Sequence, residues 1–309
     1  MNQKPAHPAV KPRCYEDTKL SLQIHELLRS RGIEERVAVA IITNQKNLHG
    51  SPERRWSGWQ AKRFGYPASL YKLYIAGALI EKASHARHYD LLSVFVEILK
   101  ENVVVEEGEL SSPLVAGQKK SVKELLKLMI TRSDNTAANV LISFLGMPMI
   151  NKFIRKNGWR GSEITKRFLP KDRQDKEERK AEPTKTCVLH LAEFMMCIDS
   201  LTIGGRIMST TLKTLLLCQE DGGMLDAGLP GWVVFSHKTG WFQTIREGKL
   251  IGVTGDAGIV EVEGVRYYIA CLTKLVPKEG RRVLEELALP LHELIISYLR
   301  ELNKKKRAP

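Results

Sequence analysis

Strand-forming segments lie at the two ends of this 309-residue chain, and helix-forming segments fill its middle. An amphipathic stretch from Asp17 to Arg31 carries Leu20, Ile24, Leu27 and Leu28 at helical spacing, and Gly32 stops it. RVAVAIIT, Arg36 to Thr43, then reads as a buried strand. At the far end WVVFSHKT, LIGVTGDAGIVEVE and VRYYIACLT read as three successive strands joined by tight turns, Glu263-Gly264 being the clearest. An amphipathic helix from about Arg281 to Leu302 follows. In the middle, SVKELLKLMI opens with Ser121 and Glu124 in capping-box spacing, and helical patterns follow at Thr136–Leu145, Pro148–Asn157 and Thr186–Asp199. The polar stretch KRFLPKDRQDKEERKAEPTK separates the last two and reads as a long surface loop. The economical arrangement is an α/β (α+β) fold, one antiparallel sheet assembled from both termini with a helical subdomain inserted between.

The composition is that of a folded protein, with 43% hydrophobic and 27% charged residues. A net charge of +13 would suit an anionic partner. The positive residues are spread along the chain, however, with local concentrations only at Lys166 to Lys180 and in the tail Lys304 to Arg307. No aromatic residues alternate with them as a base-stacking platform needs, so the charge reads as a solvated face and no specific nucleic-acid partner is expected. Cys14, Cys187, Cys197, Cys218 and Cys271 form no CxxC pair and no zinc spacing, and read as buried free thiols. The first twenty residues contain no apolar core of a signal peptide, and no apolar run reaches the length of a membrane span. As written the chain is expected to be a cytoplasmic monomer without cofactor or metal; a removed leader would make it periplasmic or extracellular.

The chemistry starts in YPASLYKLYIAGALIEKA, where Ser69 and Lys72 stand three residues apart at the start of an apolar helix. Positions i and i+3 share a helix face, so Lys72 can bring its amine to Ser69. A serine hydroxyl attacks only when a base takes its proton, and lysine serves only if burial and nearby cations lower its pKa. Alone the pair is weak, because a chain of this size shows roughly one SxxK by chance. Two tripeptides change that. Ser133-Asp134-Asn135 and Lys238-Thr239-Gly240 each occur once, whereas each is expected about 0.05 times by composition.

SxxK, SDN and KTG in this order resemble the set carried by serine β-lactamases and penicillin-binding proteins. RSDNTAANVLISFLG, the following INKFIRKNGW, and HKTGW with the later DAGIV are similar to segments of class A β-lactamases, and the likeness runs from about Leu20 to Leu302. It implies a five-stranded antiparallel sheet with helices on both faces, an all-helical subdomain beside it, and an active site in the groove between. The corresponding boundaries are an extension at 1–16, an α/β part at about 17–65 and 220–303, a helical part at about 66–219, and a basic tail at 304–309.

Residue by residue, the resemblance implies Ser69 as acylated nucleophile, Lys72 as its base, and Ser133 as proton relay to the leaving nitrogen. Asn135 would bind the substrate's side-chain amide, and Lys238 and Thr239 its carboxylate. Gly240 would let substrate lie close to the strand. The backbone N–H groups of Ser69 and Trp241 would form the oxyanion hole. Arg246 stands off the family's spacing for a second carboxylate anchor and reads as a surface arginine. The substrate would be a β-lactam or a related amide such as a D-alanyl peptide.

The loop departs from the pattern. Class A enzymes activate the deacylating water with a loop glutamate. Arg167 and Glu182 have the spacing of that loop's closing ion pair and Pro170 is in place, but the glutamate's position holds Leu169, which accepts no proton. Arg173 stands where the family has a water-holding asparagine, and Asp172, Asp175 or Glu177 would substitute only along another path. Slow deacylation is therefore expected. The alternatives are a D-Ala-D-Ala peptidase-like enzyme and a non-hydrolysing sensor of penicillins or wall fragments. Trp241, following KTG, either packs on the sheet or roofs the pocket. His85 and His88 lack a third metal ligand, His237 alternates away from Lys238, Trp56 and Trp59 read as packing anchors, and Asp256 as a structural partner in the sheet.

Overall fold

The structure, a computed structural model, describes residues 14–46, 52–85, 89–105, 112–169, 173–262 and 264–305. Pro170, Asp172, Glu263, His88 and the end of the basic tail lie outside the described residues, as does the His85 side chain.

The first described element is a short strand, β1 (Cys14–Glu16), followed by the amphipathic helix α1 (Thr18–Ser30). Asp17 caps α1, accepting the Leu20 N–H at 3.3 Å. Its carboxylate also accepts the Tyr298 hydroxyl at 2.7 Å, so one side chain starts the first helix and ties it to the last. A cap of this kind contributes about 1 kcal/mol. The hairpin β2 (Val37–Lys46) and β3 (Pro52–Trp59) follows. The chain then enters the helical part: α2 (Lys72–His85), the ribbon β4 (Phe95–Glu97) and β5 (Lys119–Ser121), α3 (Val122–Thr131), α4 (Asn135–Leu145), α5 (Met147–Lys156), α6 (Lys176–Lys180), α7 (Val188–Asp199) and α8 (Gly205–Leu217). Through α9 (Leu225–Gly228) it returns to β6 (Val234–Arg246), β7 (Lys249–Val262), β8 (Val265–Thr273) and α10 (Pro277–Lys305).

The main sheet has six strands in the order β1-β3-β2-β8-β7-β6, so strands from both termini meet where β2 pairs with β8. This differs in one respect from five antiparallel strands. The end of the expected N-terminal extension runs parallel to β3, Cys14 beside Arg54 and Glu16 beside Trp56, which makes the sheet mixed. Residue patterning hid β3 itself, because Arg54 and Arg55 interrupt its apolar alternation near the sheet's edge. It also hid α8 and the short α6 within the polar stretch, so that stretch is not simply loop.

The sheet separates two cores. Along β8 the side chains alternate, Tyr267, Ile269 and Cys271 packing with α1 and α10, and Tyr268 and Ala270 packing with the helical side. Leu20, Ile24, Leu28, Leu284, Leu291 and Ile295 fill the outer core. On the other face α7 covers the sheet, and α2 runs through the middle of the helical part with Leu73, Ile75 and Leu79 fully buried. Trp56 is buried in that core, and Trp59 stacks on His25 at 3.5 Å and donates to the Glu34 carbonyl, so both are packing anchors. Cys187, Cys197 and Cys271 are buried free thiols, whereas Cys14 is half-buried and Cys218 exposed. Among the described residues no single helix is long and apolar enough to cross a membrane; α4 and α5 pass that measure only together, across an 84° bend.

Candidate active site

Ser69 lies in a one-turn 3-10 helix, Ala68–Tyr71, and Lys72 is the first residue of α2. Ala68 holds a left-handed conformation, φ +48°, in the turn that presents Ser69. Such a conformation costs a non-glycine residue on the order of 1 kcal/mol or more and persists only where packing imposes it. Ala68, Leu70 and Tyr71 are all buried, while Ser69 stays half-open to the groove. Lys72 is fully buried. Its Nζ lies 3.1 Å from Ser69 Oγ, 3.1 Å from Ser133 Oγ and 2.6 Å from Asn135 Oδ1, and also bonds the Ser133 carbonyl. The Phe168 ring covers it at 4.4 Å. The amine thus sits between the two serine hydroxyls, in a place water does not reach.

The Ser133-Asp134-Asn135 turn joins α3 to α4. Asp134 caps α4, accepting the Ala137 N–H at 2.7 Å, and Ser133 takes φ +59°. The cap fixes the turn, and the turn aims the Ser133 carbonyl and hydroxyl and the Asn135 amide at Lys72. The third motif lies on β6, at the free edge of the sheet. Lys238 is fully buried, donates to the Thr239 carbonyl at 2.8 Å, and has its pKa pushed by burial down to about 8, against the pull of Asp221 and Asp256.

Gly240 meets a requirement of the protein before any of a substrate. A Cβ there would lie 2.8 Å from Leu70 N and 3.0 Å from Ser69 N, so β6 can press against the serine turn only because this position has no side chain. Gly240→Ala is expected to destabilise the fold by about 1–3 kcal/mol and to displace Ser69. Thermal unfolding alongside the rate of Ser69 acylation checks this; a stable variant acylated at the wild-type rate would show that the contact yields.

Trp241 packs against the outer core and also lines the groove, so its ring takes part in both. Arg246 is an exposed residue at the far end of the β6-β7 hairpin, beside Glu247. His237 points away from the groove and bonds the buried Asp256 carboxylate at 2.9 Å. With Asp226 these two form the one group among the described residues with donors close enough for a metal ion. Those donors are already used. Asp256 also accepts the Leu225 N–H, and Asp226 accepts the N–H groups of Gly223 and Met224, which is the bonding of a structural cluster.

The loop corrects one sequence expectation. Arg167 does not close it on Glu182. Its Nε and Nη2 donate to Glu178 at 3.0 and 2.9 Å, and Nη2 reaches Asp175 at 3.2 Å. The cause is α6. Asp175 and Glu178 form a capping box at its start, which turns Glu178 inward where it is buried against the guanidinium. Glu182 instead contributes its carbonyl to the Thr165 hydroxyl. Arg173 donates to the carbonyls of Val103 and Lys100, and Glu177 is exposed, so neither stands in for the family's water-holding groups. Leu169 is buried. Beside it Phe168, stacked on Tyr71 at 4.3 Å, reaches the groove over Lys72.

Two residues that sequence reasoning did not single out meet at one end of the groove. Asp221 lines it, accepting the Thr239 hydroxyl at 3.0 Å and Arg281 Nη2 at 2.6 Å. No motif marks either.

The fold and this groove are those of a serine-enzyme scaffold of the class A β-lactamase type. The Beta-lactamase enzyme family matches residues 23–294, and the chain belongs to it. Among solved structures, PBP-A is similar at 22% identity with a TM-score of 0.71, over 94% of this chain and 99% of that one. A leucine-to-glutamate variant of PBP-A, solved as an acyl-enzyme with penicillin G, is similar at 21% identity and TM-score 0.71, over 94% of this chain and 100% of that one. A class A β-lactamase from Bacteroides cellulosilyticus DSM 14838 is 19% identical with TM-score 0.71, over 91% of this chain and 98% of that one. No curated protein matches significantly in sequence.

Proposed function

We propose that the protein is a serine hydrolase that forms an acyl-enzyme on Ser69 with a β-lactam or a related amide such as a D-alanyl peptide, and releases it slowly. The observation that carries this reading is the position of Lys72 Nζ, 3.1 Å from both Ser69 Oγ and Ser133 Oγ. As the Ser69 oxygen bonds the carbonyl carbon, its proton passes to Lys72. The carbonyl oxygen takes up negative charge against the backbone N–H groups of Ser69 and Trp241. When the carbon–nitrogen bond breaks, the proton reaches the leaving nitrogen through Ser133, so no other reactant is needed. Asn135 serves the acyl side chain's amide, and Lys238 and Thr239 the opposite end of the substrate.

Slow release is supported by what surrounds the serine. Leu169 supplies no base, Asp175 and Glu178 are held by Arg167, and the Phe168 ring covers Lys72 on that side. Intact-protein mass spectrometry after mixing with benzylpenicillin, as the acid and as its methyl ester, tests the proposal. A persistent one-to-one adduct absent from Ser69→Ala is expected. A fleeting adduct with continued drug consumption would disprove slow release, and no adduct from either compound would disprove the acyl-enzyme itself.

A further inference from the structure

Asp221 stands where an anionic substrate would need to bind. The Thr239 hydroxyl, the group expected to meet a substrate's carboxylate, already donates to Asp221 Oδ2 at 3.0 Å. The other oxygen of the same carboxylate takes Arg281 from α10 at 2.6 Å, and Arg281 also donates to the Gly222 carbonyl. Asp221 is mostly buried, its side chain 10% exposed, yet it lines the groove together with Ser69, Ser133 and Asn135. It is also close enough to Lys238 to counter the effect of burial on that amine. The Thr239 hydroxyl and the Arg281 guanidinium at this end of the groove are therefore already bonded to a carboxylate of the protein, which also lies near Lys238.

From this arrangement we infer that Asp221 is a specificity-determining residue that selects, at this end of the groove, a substrate carrying an uncharged or cationic group rather than a carboxylate. The inference rests on the acyl-enzyme reading above and gives it a substrate class: amides and lactams whose terminal acid is masked as an amide or ester. A carboxylate arriving here meets a like charge at short range in a half-buried site, and finds the Thr239 hydroxyl taken. To bind, it must either take the Thr239 hydroxyl from Asp221, which then keeps only Arg281, or go without that hydroxyl itself, and a lost hydrogen bond to a buried charge is costly. A neutral group at the same place carries no charge against Asp221 and has less need of that hydroxyl's proton, and a cationic group is attracted to the carboxylate. Arg281 acts through Asp221, holding its carboxylate toward Thr239.

The test compares second-order rate constants for Ser69 acylation by benzylpenicillin and its methyl ester, each divided by that compound's rate of alkaline hydrolysis. In the wild-type protein the ester is expected to react at least about tenfold faster, the scale of one like-charge contact in such a site. Asp221→Asn keeps the shape and removes the charge; it is expected to abolish or reverse the preference, leaving Lys238 and Arg281 to attract the acid. If the acid reacts as fast as the ester in the wild type, or if Asp221→Asn leaves the ratio unchanged, the inference is overturned while the acyl-enzyme stands. No Ser69 adduct from either compound in either protein would overturn both. Should Asp221→Asn fail to fold, the wild-type ratio decides alone.

Discussion

Lys72→Met is expected to slow acylation of Ser69 by about 10²–10⁴ while the protein keeps its fold. Methionine matches the lysine stem in length and volume, so the fully buried position stays filled, and the Phe168 ring rests on a thioether in place of the amine. What disappears is the one group, among the described residues, within hydrogen-bond reach of both serine hydroxyls. The Asn135 amide and the Ser133 carbonyl lose their donor too, so the SDN turn is expected to loosen, a cost of about 1–3 kcal/mol. Circular dichroism and the adduct time course separate the two effects. A folded Lys72→Met protein acylated at the wild-type rate would mean that the serine's proton leaves by another path.

Lys238→Met is expected to raise stability at neutral pH and to lower acylation together. Burial pushes the Lys238 pKa down to about 8, and an unfolded lysine titrates near 10.4. Below about pH 8 both states are protonated and the folded protein bears the full cost of the buried ammonium, about 3 kcal/mol. Between about pH 8 and about 10.4 the unfolded chain holds the proton longer, so this group's contribution to stability improves as pH rises, and the cost is gone above that range. Removing the amine forfeits its bond to the Thr239 carbonyl, about 1 kcal/mol. Asp221 retains Arg281 and Asp256 retains His237, so neither carboxylate is left alone. The net expectation is about 1–3 kcal/mol of stabilisation at pH 7 and a flatter pH–stability curve from 8 to 10. Thermal unfolding across that range measures both. A less stable variant at pH 7 would show that attraction to Asp221 and Asp256 outweighs burial.

Other features of the same groove also run against local stability. A left-handed Ala68 before Ser69, a left-handed Ser133 and two fully buried lysines are each unfavourable where they stand. They converge on one groove, the usual place for local violations of good folding practice.

How much of this was legible in the residues depends on how local each feature is. Helices α3, α4, α5, α7 and α10 and strands β2, β7 and β8 write their periodicity into contiguous segments, and their expected and observed spans agree to within a few residues. The groove's three motifs were legible for a similar reason. Ser69 and Lys72 are joined by one helical turn, Ser133 and Asn135 by one capped turn, and Lys238 to Gly240 by one strand. Strand β3 was not legible, because its charged residues near the sheet's edge break the apolar alternation of a half-buried strand.

The sequence by itself determined the family, the sheet built from both termini, the Ser69–Lys72 pair with Ser133, and the leucine at position 169. Each is a matter of residue type at short, fixed spacing. The tertiary structure alone decided which carboxylate closes the loop, where the Trp241 ring packs, and that Asp221 and Arg281 meet at Thr239. Arg167 chose Glu178 over Glu182 because a capping box curled the polar stretch into α6, and Asp221 reaches Thr239 only because the turn before α9 and the start of α10 converge beside β6. Charged side chains pair with whichever partner the folded backbone brings within about 3 Å, and no spacing along the chain records that approach.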